Sequence, residues 1–302
     1  MSKTKPLFKK IAPGLEICLF SGLEQNFPPH FHNHYLIGCV LDGKRRMTLA
    51  GRECWSGPGD IVLLNPEEVH GCVQAGEKPL YWLGLHFSPD CMKNMATDIA
   101  GQYSLPLFKK ANWPESPLAA DFRAMAGQMA ASPNCLQGLA RKILGKILFW
   151  NRDLAAPVGE CASKNPFDEL RAHLKANPPA SVSLDEMSAL ARLDKYSLVR
   201  GFNTCYGITP WRYLEALRVN LGQQMLGEGK KIAEVAINCG FTDQSHFSRC
   251  FKARTGITPG EYKKSSLPAQ DFSNPIGSKT LQGFTSCAWE EVEIPPRLTA
   301  SV

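Results

Sequence analysis

The chain reads as a multidomain α+β protein. A β-barrel with following helices fills the N-terminal half, and an all-α domain of two helix-turn-helix units joined by a helix fills the C-terminal half. Three observations carry that reading. Short alternating runs separated by turn residues occupy residues 15–88. Two amphipathic stretches follow between about 117 and 152. A small helical unit then occurs twice, at one offset of 49 residues (Arg200 to Arg249, Gly207 to Gly256, Tyr213 to Tyr262).

Leu36–Leu41, Arg46–Leu49, Arg52–Trp55, Ile61–Leu64 and Tyr81–Phe87 are short apolar or alternating runs, the signature of strands. Asp42-Gly43, Ala50-Gly51 and Gly57-Pro58-Gly59-Asp60 punctuate them as turns. Several short strands at this spacing predict a sandwich or small barrel. On a strand, His30, His32 and His34 would point to one face, and a barrel brings His70 beside them. That supplies enough imidazoles for a metal, but the expected reading is of pocket-mouth or core-edge histidines, with no metal and no cofactor assigned. A barrel interior is a natural small-molecule cavity, with His32, His34, Trp55, His70, Trp82 and His86 as its expected lining.

Leu118–Ala131 is rich in Ala and Met, and Ser132-Pro133-Asn134 separates it from a second helical stretch. There Leu136, Leu139, Ala140, Ile143, Leu144, Ile147 and Leu148 form one stripe. The stripe either packs on the β domain or forms the seam of a two-fold dimer; the dimer seam is the expectation. Ala155–Pro166, with Pro157, Gly159 and Ser163, reads as a linker. The expected domains are 1–154, linker 155–165, and 166–266. Residues 267–302 form an acidic extension of unassigned role.

In the second copy of the repeat, Ile232, Val235 and Ala236 give a short apolar face that Cys239-Gly240-Phe241 breaks. Asp243 is then a good N-cap for a helix carrying Phe247, Cys250 and Phe251 inward, and Gly256 and Pro259 mark its end and the next start. The first copy repeats the plan with Leu184, Met187 and Leu190, cap Asp194, then Leu198 and Phe202, and stop Gly207. Two short helices across a tight turn make a helix-turn-helix, whose second helix fits a major groove. The outward faces of the second helices offer Lys195, Tyr196, Val199, Arg200 and Asn203, then Gln244, Ser245, His246, Ser248, Arg249 and Lys252. These side chains suit base edges and phosphates. Gly201 inside the first such helix costs up to about 1 kcal/mol relative to Ala, which predicts a softer reader.

Gly-Phe-Thr-Asp-Gln-Ser-His-Phe-Ser-Arg-Cys-Phe-Lys at 240–252 and Gly-Ile-Thr-Pro-Gly-Glu-Tyr at 256–262 resemble the signature of AraC/XylS-type bacterial transcription regulators. The order His30-x-His32-x-His34, then Pro58-Gly59-Asp60-Ile61, then Pro66 … His70 resembles the cupin-like sensory domain of that family over about residues 14–90. The resemblance implies two helix-turn-helix subdomains bridged by a helix near Pro210–Leu226, reading successive major-groove segments. It implies double-stranded operator DNA, a small-molecule effector, a homodimer and RNA polymerase as partners. Metal-dependent cupins carry a Glu a few residues after the second His, where Leu36, Ile37, Gly38 and Cys39 stand here.

Bulk properties fit this reading. Of the 302 residues, 44% are hydrophobic and 21% charged, enough for normal globular cores. No run of eighteen apolar residues and no apolar run after the charged start argue against a membrane span or secretory signal. Eleven scattered cysteines without a Cys-x-x-Cys pair suit a reducing cytoplasm, where the protein would join the nucleoid when DNA-bound. The net charge is +6, and residues 164–266 hold 15 Lys+Arg against 10 Asp+Glu, a mild local bias towards DNA. The expected function is therefore an effector-controlled, sequence-specific DNA-binding regulator, without catalytic residues. A constitutive DNA-binding dimer and a metal-dependent cupin enzyme are the alternatives.

Overall fold

The computed structural model describes residues 6–49, 52–101, 104–151, 165 and 167–266. The expected extension 267–302, and the expected linker apart from residue 165, lie outside them.

Among the described residues, ten antiparallel strands make two sheets. The larger runs β1 (Leu7–Ala12), β2 (Leu15–Leu23), β9 (Leu80–Phe87), β4 (Tyr35–Asp42), β7 (Ile61–Leu64), β10 (Asn112–Trp113). The smaller runs β3 (Phe27–His30), β8 (His70–Gln74), β5 (Arg45–Leu49), β6 (Arg52–Ser56). Among the described residues no strand pairing joins the two sheets, so the expected barrel is an open sandwich. Both gaps have identifiable fillers. On one side β10 takes the free edge of β7, and the Asn112 Nδ2 donates to the Trp55 carbonyl of β6 at 3.0 Å, one bond in place of a ladder. On the other side helices of the C-terminal half lie against β1 and β3.

Alternation sorts the large sheet. Ile37, Cys39, Leu83, Leu85 and Phe87 share one core with helices α1 (Pro89–Ala100), α2 (Leu118–Gly127) and α3 (Pro133–Trp150). Leu36, Val40, Val62, Leu64, Leu80 and Trp82 share a second core with Met47 and Leu49 of the small sheet. The stripe expected to form a dimer seam is used inside the protomer. Leu136, Ala140, Ile143, Leu144, Ile147 and Leu148 are all buried in the first core. Removing each such side chain from water is worth roughly 1.5–3 kcal/mol, which favours keeping the stripe on the sheet.

The C-terminal half holds α4 (Asp168–Ala176), α5 (Leu184–Ala191), α6 (Lys195–Tyr206), α7 (Pro210–Gly227), α8 (Ile232–Asn238), α9 (Gln244–Thr255) and α10 (Pro259–Ser266). The two repeats are α5–α6 and α8–α9, and α7 is the expected bridge. Their ends follow the sequence signals. Ser183 and Glu186 form a capping box on α5, Asp194 caps α6, Thr209 caps α7 and Asp243 caps α9. Gly207 and Gly256 close α6 and α9 at φ 70° and 82°. The offset between the repeats is 48 residues before the turn (Leu184 to Ile232) and 49 after it, and the turns differ accordingly: Arg192 takes in the first repeat the left-handed position (φ 54°) that Gly240 takes in the second (φ 79°).

The halves dock through specific side chains. Phe31, after β3, is buried in the core of the first repeat with Phe167, Phe202 and Tyr213. Phe8 of β1 meets Tyr262 of α10 at 5.3 Å between ring centroids. Glu67 pairs with Arg171 and Lys175 of α4. Gln25 Nε2 donates to the Lys252 and Ala253 carbonyls at 2.9 and 3.3 Å, satisfying the last turn of α9. No helix among the described residues is long and apolar enough to cross a membrane.

Candidate DNA-reading faces and the interdomain cavity

On α6, Lys195, Tyr196, Arg200 and Asn203 are exposed and Val199 is half-buried. Tyr196 stands 71% exposed, an aromatic side chain that the fold leaves to solvent. Lys195 is tied to Asp185 of α5 at 2.7 Å. On α9, Gln244, Ser245, Arg249 and Lys252 are exposed, whereas His246 and Ser248 are half-buried. His246 leans inward: its ring meets Phe241 edge-on at 5.2 Å and its Nε2 lies 3.7 Å from Glu215 of α7. The two faces therefore carry the expected polar side chains, with His246 turned partly towards the bridge helix. Gly201 has a packing reason. A Cβ there would lie 2.7 Å from Cζ of Phe167, which is buried against Phe202 and Tyr206.

A cavity of about 780 Å³, counted out to its mouth, lies between the two sheets and reaches the DNA-binding half. His32, His70, Trp82 and His86 line it, and His30 joins them. Its walls are otherwise apolar, from Phe8, Phe20, Phe27, Leu36, Val62 and Leu80 among others. Gln223 of α7 and Arg254 and Thr255 of α9 complete it. Two expected lining residues lie elsewhere. Trp55 is 66% exposed, because it pairs with Arg46 on the outer face of β6 while Met47 and Cys54 share the inner one. His34 stands behind His86 (ring centroids 4.5 Å apart) and faces a separate outer groove with Asn220 and Gln224. His32 and His34 also lie beyond the end of β3 instead of on a strand with His30.

Two glycines set the cavity floor. Gly38 of β4 and Gly84 of β9 are register partners, and the Trp82 indole lies over both. A Cβ at Gly38 would fall 2.0 Å from the indole Cζ2, and one at Gly84 would fall 2.7 Å from Nε1. The missing side chains let the ring lie flat.

The cavity's electrostatics come from its four imidazoles, with His34 behind them, and from two guanidiniums. Burial, then the neighbouring histidines, hold His30, His32 and His34 well below the usual histidine range. Burial pushes His70 and His86 down to about 4. All five are therefore neutral at pH 7. Arg45 is buried, and its Nη atoms donate to the Gln25 and Leu23 carbonyls. Its Nε has no partner, and among the described residues it has no carboxylate. Arg254 binds Glu215 at 3.0 Å, and its buried Nε is likewise unpaired. Arg45, Arg254, Gln223 and Thr255 were missed from the sequence. Arg45 was detectable, since it stands two residues before Met47 and four before Leu49, on the inward side of β5.

Comparisons with known proteins agree with this architecture. Residues 14–144 match the AraC-like ligand binding domain, and residues 187–265 match a helix-turn-helix domain. The HTH-type transcriptional regulator YbfI of Bacillus subtilis, itself uncharacterised, is 30% identical over 239 residues, covering 77% of this chain and 85% of that protein. The transcriptional activator RhaR of Salmonella dublin is 23% identical over 254 residues, covering 80% and 88%. Among solved structures, ToxT from Vibrio cholerae O395 superposes with a TM-score of 0.52 at 12% identity, over 85% of this chain and 100% of that one. ToxT with an unsaturated fatty acid bound gives 0.51 at 13% identity, over 87% and 97%. At those identities the likeness is one of fold. The matched halves and the 30% identical relative make this chain a member of the AraC family, a DNA-binding transcription regulator with a ligand-binding domain.

Proposed function

We propose that the protein reads an operator with α6 and α9 in successive major-groove segments, and that the occupant of the interdomain cavity controls how those helices are presented. One observation carries the second part: a single cavity is walled by both sheets and by the end of the second recognition helix. Lys195, Tyr196, Val199, Arg200 and Asn203, then Gln244, Ser245, His246, Ser248, Arg249 and Lys252, are the proposed DNA contacts. Recognition helices one DNA turn apart, about 34 Å, give one protomer a site on the order of 20 base pairs.

The effector that fits is mostly apolar with one acidic or strongly accepting group. The apolar walls take its body, and the unpaired Nε–H groups of Arg45 and Arg254 take its head. The fatty acid held by ToxT supports this chemistry. An acid bound at Arg254 competes with Glu215, which also faces His246, so occupancy reaches the α9 surface through one carboxylate. Such control requires the effector to bind the two domain arrangements unequally. Residues 1–154 would form the regulatory unit and 166–266 the reading unit, acting in the cytoplasm. The apolar stripe of α3 is already used, so a homodimer would employ the helix's outer face, where Phe149 and Trp150 are exposed. RNA polymerase is the further partner an activator requires.

Selection of random duplex DNA by the purified protein, with and without an unsaturated fatty acid, tests the reading. Two retained blocks about ten base pairs apart, with affinity altered by the fatty acid, are expected. One block would leave a single reading helix. No retention at low salt would overturn the regulator mechanism, and retention blind to every acid tried would leave a constitutive binder.

A further inference from the structure

We infer that Glu215 of α7 forms, with His246 and Cys250 of α9, a carboxylate–imidazole–thiolate site for a divalent cation, with zinc(II) as the type case, between the bridge helix and the second recognition helix. The three residues offer one ligand atom each, all within 4.8 Å of one another. His246 and Cys250 stand one turn apart on α9, so both fall on the face that meets α7. Glu215 Oε1 lies 3.7 Å from His246 Nε2 and 3.4 Å from Cys250 Sγ. Tetrahedral zinc, with bonds of about 2.0–2.1 Å to nitrogen, 2.0–2.2 Å to oxygen and 2.3 Å to sulfur, sets those pairs roughly 3.4 and 3.6 Å apart. Both observed distances are within a few tenths of an ångström of that geometry.

Two of the three ligands are already held from behind. Arg254, itself buried, donates from Nη2 to Glu215 Oε2 at 3.0 Å, which turns Oε1 towards His246 and Cys250. The Thr242 hydroxyl has one proton and donates it to Asp243 Oδ2 at 3.2 Å. Its oxygen can then only accept from His246 Nδ1, 3.5 Å away, a long bond that places the ring proton on Nδ1. In the neutral ring Nε2 keeps its lone pair, and that lone pair faces a carboxylate oxygen. Two acceptors so placed repel each other, and a cation between them removes the conflict. Outer partners of this kind are what orient ligating histidines and carboxylates.

The donor set also fits in charge and softness. One carboxylate and one thiolate balance a divalent ion while the imidazole stays neutral, and binding releases the thiol proton to water. Thiolate with imidazole favours zinc and disfavours magnesium and calcium. The three residues share the wall of an open groove with Pro28, Pro29, Arg212 and Arg249, which gives the ion a path in and room for a fourth ligand. A bound ion would join α9 to α7 and keep His246 turned inward, so the second recognition helix would meet DNA at a fixed pitch. The inference goes beyond the regulator reading: α6 and α9 can read DNA whether or not a cation is held, and its test needs neither DNA nor effector.

The test is cobalt(II) titration of full-length protein, stripped with a chelator and kept reduced. Expected is a thiolate-to-cobalt charge-transfer band in the near ultraviolet, with the amplitude of one thiolate per chain, bleached by zinc(II). Cys250→Ser should abolish the band, and His246→Gln should weaken the binding it reports by about 100-fold or more, at or beyond the upper end for loss of an orienting group. Cys205→Ser, which removes an exposed cysteine of α6, should leave the band unchanged. No such band at millimolar cobalt, or one that survives Cys250→Ser, overturns the site. Loss of the band in Cys205→Ser, or visible cobalt bands without it, do so as well, since the ion then sits on other donors. X-ray absorption of wild type loaded with one equivalent of zinc decides without variants: one sulfur beside nitrogen and oxygen supports the site, and a shell without sulfur overturns it.

Discussion

The ring of Phe31 lies 4.8 Å from the ring of Tyr213, joining the β domain to the first turn of the bridge helix, and both side chains are buried. The Phe31 carbonyl also accepts a long bond from Asn220 Nδ2 at 3.5 Å. A side chain of one domain thus completes the core of the other. Phe31→Ala should cost up to about 3–5 kcal/mol, the range for emptying a buried aromatic site. Because the lost contact is interdomain, urea unfolding followed by tryptophan fluorescence should separate into two transitions. A single transition at the wild-type midpoint would mean that the domains are not coupled through this ring.

The cavity floor makes a different prediction. Gly84→Ala places a methyl group 2.7 Å from the Trp82 Nε1, so the indole must shift. Overpacking of this kind costs about 1–3 kcal/mol, less if the ring moves freely. Binding of a fatty-acid probe should weaken several-fold while DNA retention without probe stays near wild type. Unchanged probe binding would place the ligand away from Trp82.

Much of this was legible in the sequence, for definite reasons. The second half could be read because capping residues and stop glycines act locally: Asp194, Gly207, Asp243 and Gly256 mark the same ends in sequence and structure. Five of the six strands from Tyr35 to Phe87 were legible through alternation and turns; β8 (His70–Gln74) was not among them. β1 escaped because Leu7–Ala12 carries Lys9 and Lys10; the Lys9 ammonium is taken up by the Met129 and Ala131 carbonyls, a pairing 120 residues or more away. Trp55 was misplaced because the side an edge strand faces depends on register, and that is set by its partner, Met47 opposite Cys54. Arg254 could not be found, since it lines the cavity only through docking of the two halves. Gly201 looked like a weak point of α6, yet the propensity cost of about 1 kcal/mol comes with close packing of Phe167 on that helix.

The recognition faces make a paired prediction. Arg249→Ala should cost about 1–3 kcal/mol of DNA binding and relax the preference at one base position if the side chain reads a base. Arg200→Ala should do the same on the first block. Selected-DNA sequencing with each variant separates base reading from phosphate contact, since a phosphate contact would weaken all sequences alike and lower the salt slope. Retention of both blocks at full strength by both variants would remove these arginines from the interface.

The N-caps of the two recognition helices give the acid response. Asp194 accepts from the Tyr196 and Ser197 amides at 2.9 and 3.0 Å, and Asp243 accepts from the His246 amide at 2.8 Å. Hydrogen bonds from Ser197 hold the Asp194 carboxyl below its usual range, and the bond from His246 does the same for Asp243. A carboxyl with a lowered folded pKa stabilises the fold above its unfolded value, near 3.9, and loses that contribution as pH falls through the folded value. The caps should therefore hold fully at neutral pH and fail only below about pH 4. Asn caps a helix about as well as Asp but does not titrate. The double variant Asp194→Asn with Asp243→Asn should match wild type in thermal midpoint at pH 7. Between about pH 4 and 2 its midpoint should fall less steeply than that of wild type. Equal acid slopes in the two proteins would show that these carboxylates are not the groups whose protonation loosens α6 and α9.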